Sequence, residues 1–279
     1  MSRVWFVTGA SRGLGTEIAK AALANGDRVV ATGRSEASIE QALGVTDTLL
    51  PLALDVTVRE QPEIAVRAAM DRFGQIDVLV NNAGYAIIGA LEECSPEELA
   101  TQFQTNFFGL ADVTRAVLPV MRSQRSGHIF NISSSAGIRG TAGSSSYCAS
   151  KFAVEGLSES LALEVASLGI KVTIVEPGPF RTDFFSGSSI RFAARTIDDY
   201  DQAEVGRLRR QSVLTHGQQP GDPAKLARAL ISLADSENPP LRLVAGVEAA
   251  GTMRRTLEAR TREFEAYLAL TESMGISKE

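Results

Sequence analysis

Tyr147 and Lys151 stand four residues apart in a stretch, Tyr147–Leu168, whose apolar positions include Phe152, Leu157, Leu161 and Leu168. The pattern predicts an amphipathic helix. At this spacing the phenol and the ammonium share one helix face, with Cβ atoms ~6 Å apart. A free phenol ionises near pH ~10 and exchanges protons poorly at neutrality. A neighbouring ammonium stabilises phenolate and lowers that value, which makes the pair a sensible general acid/base. Tyr and Lys at this spacing also arise by chance on ordinary helices, so the pair needs company.

A second chemistry-bearing stretch lies near the N-terminus. Thr8-Gly9-Ala10-Ser11-Arg12-Gly13-Leu14-Gly15 falls between a strand-like run, Val4–Val7, and a helical pattern over Thr16–Asn25. Glycines let backbone approach a phosphate, and a helix N-terminus offers unpaired N–H groups and the positive end of a dipole. The spacing is Gly-x-x-x-Gly-x-Gly rather than the common G-x-G-x-x-G fingerprint. The next strand ends Gly33-Arg34-Ser35 without a carboxylate at its tip, and Arg12 sits inside the turn. Two guanidinium forks suit a 2′-phosphate and favour NADP over NAD. Either arginine taken alone is as readily a solvated surface charge, and Glu36 stands close enough to complicate the choice.

The elements that must position these groups alternate. Strand-like runs occur at Arg28–Thr32, Leu49–Leu54, Ile76–Val80, His128–Ile132, Lys171–Val175 and Leu241–Ala245. Helical stretches lie around Pro62–Phe73, over Pro96–Val120 with Ser95 as N-cap, and from Asp222-Pro223 to about Ala234. Alternation of this kind predicts an α/β fold: a Rossmann-type doubly wound parallel sheet of about seven strands, helices on both faces, in one domain over residues 1–279. Residues 180–221 lack a period and read as a substrate lid. Within it Phe184, Phe185, Phe192 and Tyr200 are candidates either for an apolar pocket wall or for the core. Met253, Leu257, Phe264 and Leu268 form a stripe on a C-terminal helix over 250–272, suited to packing or a subunit contact.

Composition narrows the function. The 279 residues carry 28 Lys and Arg against 33 Asp and Glu, a net charge of −5. That provides no broad basic footprint for nucleic acid or an anionic membrane. The two cysteines, Cys94 and Cys148, and the two histidines, His128 and His216, form no metal-ligand pattern or triad. Cys148 beside Tyr147 has no histidine base near it in sequence and reads as an inert helix residue, and His128 receives no role. No apolar run approaches the ~20 residues of a membrane span. The strand beginning almost at the N-terminus leaves no room for a signal peptide, and the expectation is a cytoplasmic protein.

The motifs occur in a definite order: Thr-Gly-x-x-x-Gly-x-Gly, Asn81-Asn82-Ala83-Gly84 after the fourth strand, Ser134 thirteen residues before Tyr147, Tyr147-x-x-x-Lys151, and Pro177-Gly178. Along residues 3–182 this resembles the short-chain dehydrogenase/reductase family, with a C-terminal region similar to its hydroxysteroid- and retinol-dehydrogenase-like branch. The resemblance implies an oxidoreductase interconverting a carbonyl and an alcohol with NADP(H), NAD(H) remaining possible. Tyr147 would be the acid/base, Lys151 would tune it and bind the nicotinamide ribose, and Ser134 would hold the substrate oxygen. Ser133 and Ser135 blur that last choice. Asn106 matches the family's proton-relay position or, alternatively, caps an irregular turn. Gly9, Ser11, Gly13, Leu14 and Gly15 would cradle the pyrophosphate, with Arg12 and Arg34 at the ribose. Asp55 and Val56 would meet the adenine, Asn82, Ala83 and Gly84 would line the groove, and Pro177, Gly178 and Thr182 would close over the nicotinamide. The expected partner is a small carbonyl or alcohol, and pairing of the helices over Pro96–Val120 and Tyr147–Leu168 would give a homodimer or homotetramer. A catalytically silent NADP(H) sensor on the same fold is the rival, disfavoured by the intact Ser134/Tyr147/Lys151 set. An epimerase or dehydratase is disfavoured by the glycine spacing.

Overall fold

The computed structural model describes residues 2–185, 189–214 and 217–276. His216 therefore lies outside the described residues, as does the side chain of Phe185. The strands, in chain order, are β1 Val4–Val7, β2 Arg28–Gly33, β3 Leu49–Ala53, β4 Val78–Asn81, β5 Ala86–Ile88, β6 Gly127–Ile132, β7 Ile170–Pro177, β8 Ile190–Phe192 and β9 Arg242–Ala245. Seven form one parallel sheet in the order β3-β2-β1-β4-β6-β7-β9. The order reverses direction at β1, so the ends of β1 and β4 diverge around a crevice at the carboxyl edge of the sheet, where open α/β folds bind ligands.

The helices are α1 Gly13–Ala24, α2 Glu36–Leu43, α3 Gln61–Phe73, α4 Pro96–Phe103, α5 Leu110–Gln124, α6 Ser135–Ile138, α7 Ser145–Val165, α8 Asp198–Asp201, α9 Glu204–Leu214, α10 Pro223–Asp235, α11 Val247–Ala266 and α12 Leu268–Glu272. Each face of the sheet has its own core. On one side Trp5, Val7, Val29, Val80 and Phe130 pack against α1 and α10; on the other Phe6, Val30, Leu79 and Ile129 pack against α3, α5 and α7. Strands sandwiched in this way read as unbroken apolar runs because neither face meets water.

One expectation is corrected and two are sharpened. The single helix over Pro96–Val120 is two helices joined by a π-helical turn over Gln104–Gly109. A Cβ at Gly109 would meet Val56 at 2.7 Å, so glycine permits the turn to press against β3's exit, and Asn106 faces inward from it. Such wide turns occur mostly inside helices at functional sites. The predicted entry to this segment holds: Ser95 and Glu98 form a capping box. The segment over 180–221 holds regular elements among its described residues. It carries β8, which pairs in parallel with β5, and the helices α8 and α9. Glu93, fully buried, ties the segment down, accepting from Ile197 N at 2.9 Å and pairing with Arg209 at 2.7 Å. Finally, the C-terminal stripe is divided: Met253 and Leu268 are half-buried while Leu257 and Phe264 are exposed, so packing within the chain uses only part of it.

The β1 and β4 tips are joined tightly. Thr8 Oγ1 accepts from Asn82 N and Ala83 N, and Asn82 Nδ2 donates to Thr8 O and Gly9 O. Gly15 sits beneath this junction, where a Cβ would strike the Gly9 carbonyl and approach Asn82 Nδ2 to 2.6 Å. Gly15→Ala is expected to destabilise the protein by about 1–3 kcal/mol, the range for overpacking a filled site. Urea unfolding midpoints of the two proteins measure this, and an unchanged midpoint counts against so rigid a junction.

Candidate active site

A cleft of ≈ 780 Å³ runs along the carboxyl edge of the sheet, from the β2 tip at Arg34 to Tyr147, Phe184 and Ile190. Every sequence-predicted site residue lines it except Gly15, which packs behind the turn, and Asn106.

The Gly-rich turn suits a phosphate. Gly9 and Gly13 have φ of 66° and 58°, a left-handed backbone that glycine adopts without strain. Arg12 precedes α1 in extended conformation and its side chain does not cap the helix; no acidic residue occupies the first turn. The helix thus directs open N–H groups and its positive end at the cleft. Burial, and next the Arg34 guanidinium, hold Arg12 below the usual arginine range, with Asp183 opposing. Like charges placed together at one end of a groove favour an anion between them. Glu36, the residue that complicated the cofactor choice, accepts from Ala53 N at 3.1 Å. Asp55 closes a local turn onto Thr57 N and Oγ1 at 2.9 and 2.7 Å. These residues fit a dinucleotide: a backbone cradle, a cationic end and a long groove.

At the other end, α7 presents Tyr147 and Lys151 to the cleft. Lys151 is only 6% exposed, its Nζ donating to Ile132 O at 2.7 Å and lying 5.9 Å from the centre of the Tyr147 ring. Burial lowers its pKa to about 8, opposed by Glu155. Burial pushes the Tyr147 phenol up to about 12, with the Ser134 hydrogen bond pulling the other way. Loss of water is the dominant influence on the phenol. Of the three adjacent serines, Ser134 is the one within hydrogen-bonding reach of Tyr147; it also caps α6, accepting from Ala136 N at 3.1 Å. Ser133 turns inward toward Glu155.

Asn106 is brought close to this group, since a Cβ at Gly84 would meet Asn106 Oδ1 at 3.2 Å and Lys151 Nζ at 3.8 Å. Its amide is engaged on both sides, accepting from Tyr85 N and donating to Tyr85 O and Ser150 Oγ. This is the geometry of a group that secures an irregular turn beside the site.

Of the candidate pocket-wall aromatics Phe184 lines the cleft, whereas the two short strands beside it were not foreseen in the sequence. Ala86 and Ile88 of β5 and Ile190 of β8 form a small apolar cluster with Tyr147 and Phe184, whose rings lie 6.4 Å apart. The other face of the same pairing carries Arg191, stacked 4.9 Å over Tyr85. Two three-residue strands are too short to show a period, so only the apolar Ala86-Ile87-Ile88 run hinted at them. Phe192 is half exposed and Tyr200 donates to Glu92, so neither lines the cleft. His128 is a neutral core residue, its pKa lowered to about 3 by burial, bonded to Thr173 Oγ1. Cys148 is buried with its thiol pushed up.

Residues 3–190 match the family profile described as short chain dehydrogenase. The chain is 42% identical over 264 residues to oxidoreductase BOA17 of Botryotinia fuckeliana, covering 93% of this chain and 95% of that one. It is 35% identical over 258 residues to human retinol dehydrogenase 8, covering 86% and 80%. A short-chain dehydrogenase structure from Streptomyces avermitilis superposes with a TM-score of 0.91 at 40% identity, covering 99% of both chains. The chain belongs to the short-chain dehydrogenase/reductase family of oxidoreductases.

The buried lysine makes stability depend on pH in a definite direction. Its folded pKa lies below the unfolded value near ~10.4, so the unfolded chain binds more protons between the two. Stability should therefore rise with pH from about 8 to ~10, by up to about 3 kcal/mol. Urea unfolding of the wild type and Lys151→Met across that window isolates the contribution; parallel curves for the two proteins would contradict it.

Proposed function

We propose that this protein is an NADP(H)-dependent carbonyl reductase or alcohol dehydrogenase acting on a small, largely apolar substrate. The observation that carries the reading is the convergence of Ser134, Tyr147 and Lys151 at one end of a single cleft whose other end presents Arg12 and Arg34. A bound nicotinamide cofactor supplies the hydride. Ser134 orients the substrate oxygen and Tyr147 gives it a proton, a task matched to a phenol that rests protonated. Lys151 supplies the compensating positive charge as the phenolate forms, and its bond to Ile132 O fixes where that charge sits. The apolar cluster of Ala86, Ile88, Ile190 and Phe184 beside Tyr147 favours a carbonyl carried on a hydrocarbon body and excludes water from the proton transfer.

Two measurements test this. Against a panel of ketones, aldehydes and quinones, Tyr147→Phe should lower turnover of NADPH by roughly 10²-fold or more, the usual worth of a positioned proton donor, while still binding NADPH. Full retention of activity would remove Tyr147 from the role, and NADPH binding by the wild type without turnover of any compound would favour the sensor. For cofactor choice, NADPH should bind at least about tenfold more tightly than NADH, a difference of ~1.4 kcal/mol, and Arg34→Ala should erase most of it. Equal dissociation constants in the wild type would reject the assignment of Arg12 and Arg34 to a 2′-phosphate.

A further inference from the structure

Directly behind the Tyr147–Lys151 pair lies a cluster of charge that the proposed reaction does not use. Glu155 follows Lys151 by four residues on α7 and is 8% exposed; Glu176, on β7 just before Pro177, is 1% exposed. Arg242, at the start of β9, reaches both from one nitrogen: its Nε lies 3.4 Å from Glu155 Oε2 and 3.6 Å from Glu176 Oε1. The remaining oxygens, Glu155 Oε1 and Glu176 Oε2, are buried and have no hydrogen-bond donor. The partnered oxygens, Glu155 Oε2 and Glu176 Oε1, thus meet at one guanidinium nitrogen.

Two buried carboxylates meeting at one guanidinium nitrogen repel each other, and Glu176 Oε2 faces no donor while Glu155 Oε1 has only the Ser133 hydroxyl beside it. One proton held between the carboxyls resolves both problems, as in other paired acids. The direction of each titration agrees. Burial raises both carboxyls, Glu176 to about 7, where the second charge of Glu155 adds to the effect. The other charged groups around the pair are Lys151 and Glu159 on α7; Glu159 faces away onto Arg242 Nη2 at 3.2 Å. The end of β6 contributes the Ser133 hydroxyl, which has no hydrogen bond elsewhere, and α6 contributes Gly137. A Cβ at Gly137 would meet Ser133 Oγ at 2.5 Å and Glu155 Oε1 at 3.0 Å, so the cluster is closed on that side by backbone.

We propose that Glu155 is a positioning residue that acts through Lys151: with Glu176 it forms a buried acid pair carrying one shared proton and one negative charge, and that charge keeps Lys151 an ammonium. The proposal rests on the reading of Tyr147 and Lys151 as the acid–base couple for its catalytic meaning, but the charge coupling itself stands apart from turnover. Glu155 is the nearer partner, one helical turn from Lys151, and it opposes the burial that would strip the ammonium of its proton. Glu176 is the reservoir for the shared proton, and Arg242 holds the pair's remaining charge in place.

The chain has only five lysines, so Lys151 can be followed directly by NMR of selectively ¹³Cε-labelled lysine, with its signal assigned by its loss in Lys151→Arg. In the wild type the Lys151 signal should show its own titration and a smaller inflection near pH ~7 from the acid pair. Glu155→Gln should move the Lys151 midpoint down by about half a pH unit or more, roughly threefold in the ammonium fraction. Glu176→Gln, which can donate to Glu155 and keeps the Glu155 charge, should abolish the smaller inflection and move the midpoint down by less than Glu155→Gln does. The alkaline limb of kcat/KM should follow the Lys151 midpoint in each protein. Identical Lys151 titrations in the wild type and Glu155→Gln overturn the proposal; if Glu155→Gln does not fold, persistence of the inflection in Glu176→Gln does so. Failure of the catalytic reading looks different: Tyr147→Phe keeps full activity while the Lys151 titrations still respond to Glu155.

Discussion

A buried ammonium organises this protein. Lys151 is almost wholly removed from water, and taking a charge out of water is costly unless it meets partners in fixed positions. The Ile132 carbonyl is one such partner, and the bond to it locks α7 against the end of β6. Tyr147 and Ser134 derive their placement from that lock, one on the helix and the other on the turn that follows the strand. One helical turn further along α7, the Glu155 carboxyl opposes the burial that would strip the ammonium of its proton. The sheet supplies the means. Four of the elements concerned, β6, β7, β9 and α7, come together only because β6, β7 and β9 are consecutive in the sheet and α7 lies across them.

The opposite end of the cleft follows another logic, in which bulk is removed rather than charge balanced. Thr8 and Asn82 knit two strand tips together by side chain to backbone bonds, and Gly15 lets the first turn of α1 come down onto them. What results is a surface of open backbone N–H groups bordered by two arginines. One end of the cleft presents two guanidinium groups and the other a buried phenol and ammonium, and the distance between them is spanned by one sheet edge.

Much of this was legible in the residues. Strands buried on both faces announce themselves as Val/Ile/Leu runs, and the Tyr147/Lys151 spacing, Gly-rich turn and Ser95 cap are local signals with local causes. What escaped is what depends on distant partners. The π-helical turn at Asn106 is set by Gly109 meeting Val56, some fifty residues earlier, and α-periodicity continues on both sides of it. β5 and β8 are each three residues long and exist only as a pair. The Glu155–Glu176–Arg242 cluster joins three elements, and nothing in the sequence near each residue distinguishes it from a surface charge. Burial of the phenol escaped for a related reason: spacing shows the neighbouring ammonium but not the loss of water.

The short parallel pairing of β5 with β8 sets a selection rule for whatever enters the cleft. Ala86 stands opposite Ile190 and Ile87 opposite Arg191, so hydrocarbon is on one face of the ribbon and guanidinium on the other. A slip of one residue would exchange them and put a cation against Tyr147 where Ile190 now sits. Glu93, by gripping Ile197 and Arg209 further along the segment, works as a ratchet pawl against that slip. The surroundings of the Tyr147 phenol thus depend on a carboxylate that does not line the cleft, and they would change more readily by exchanging side chains within the ribbon than by lengthening or shortening the loop that carries it.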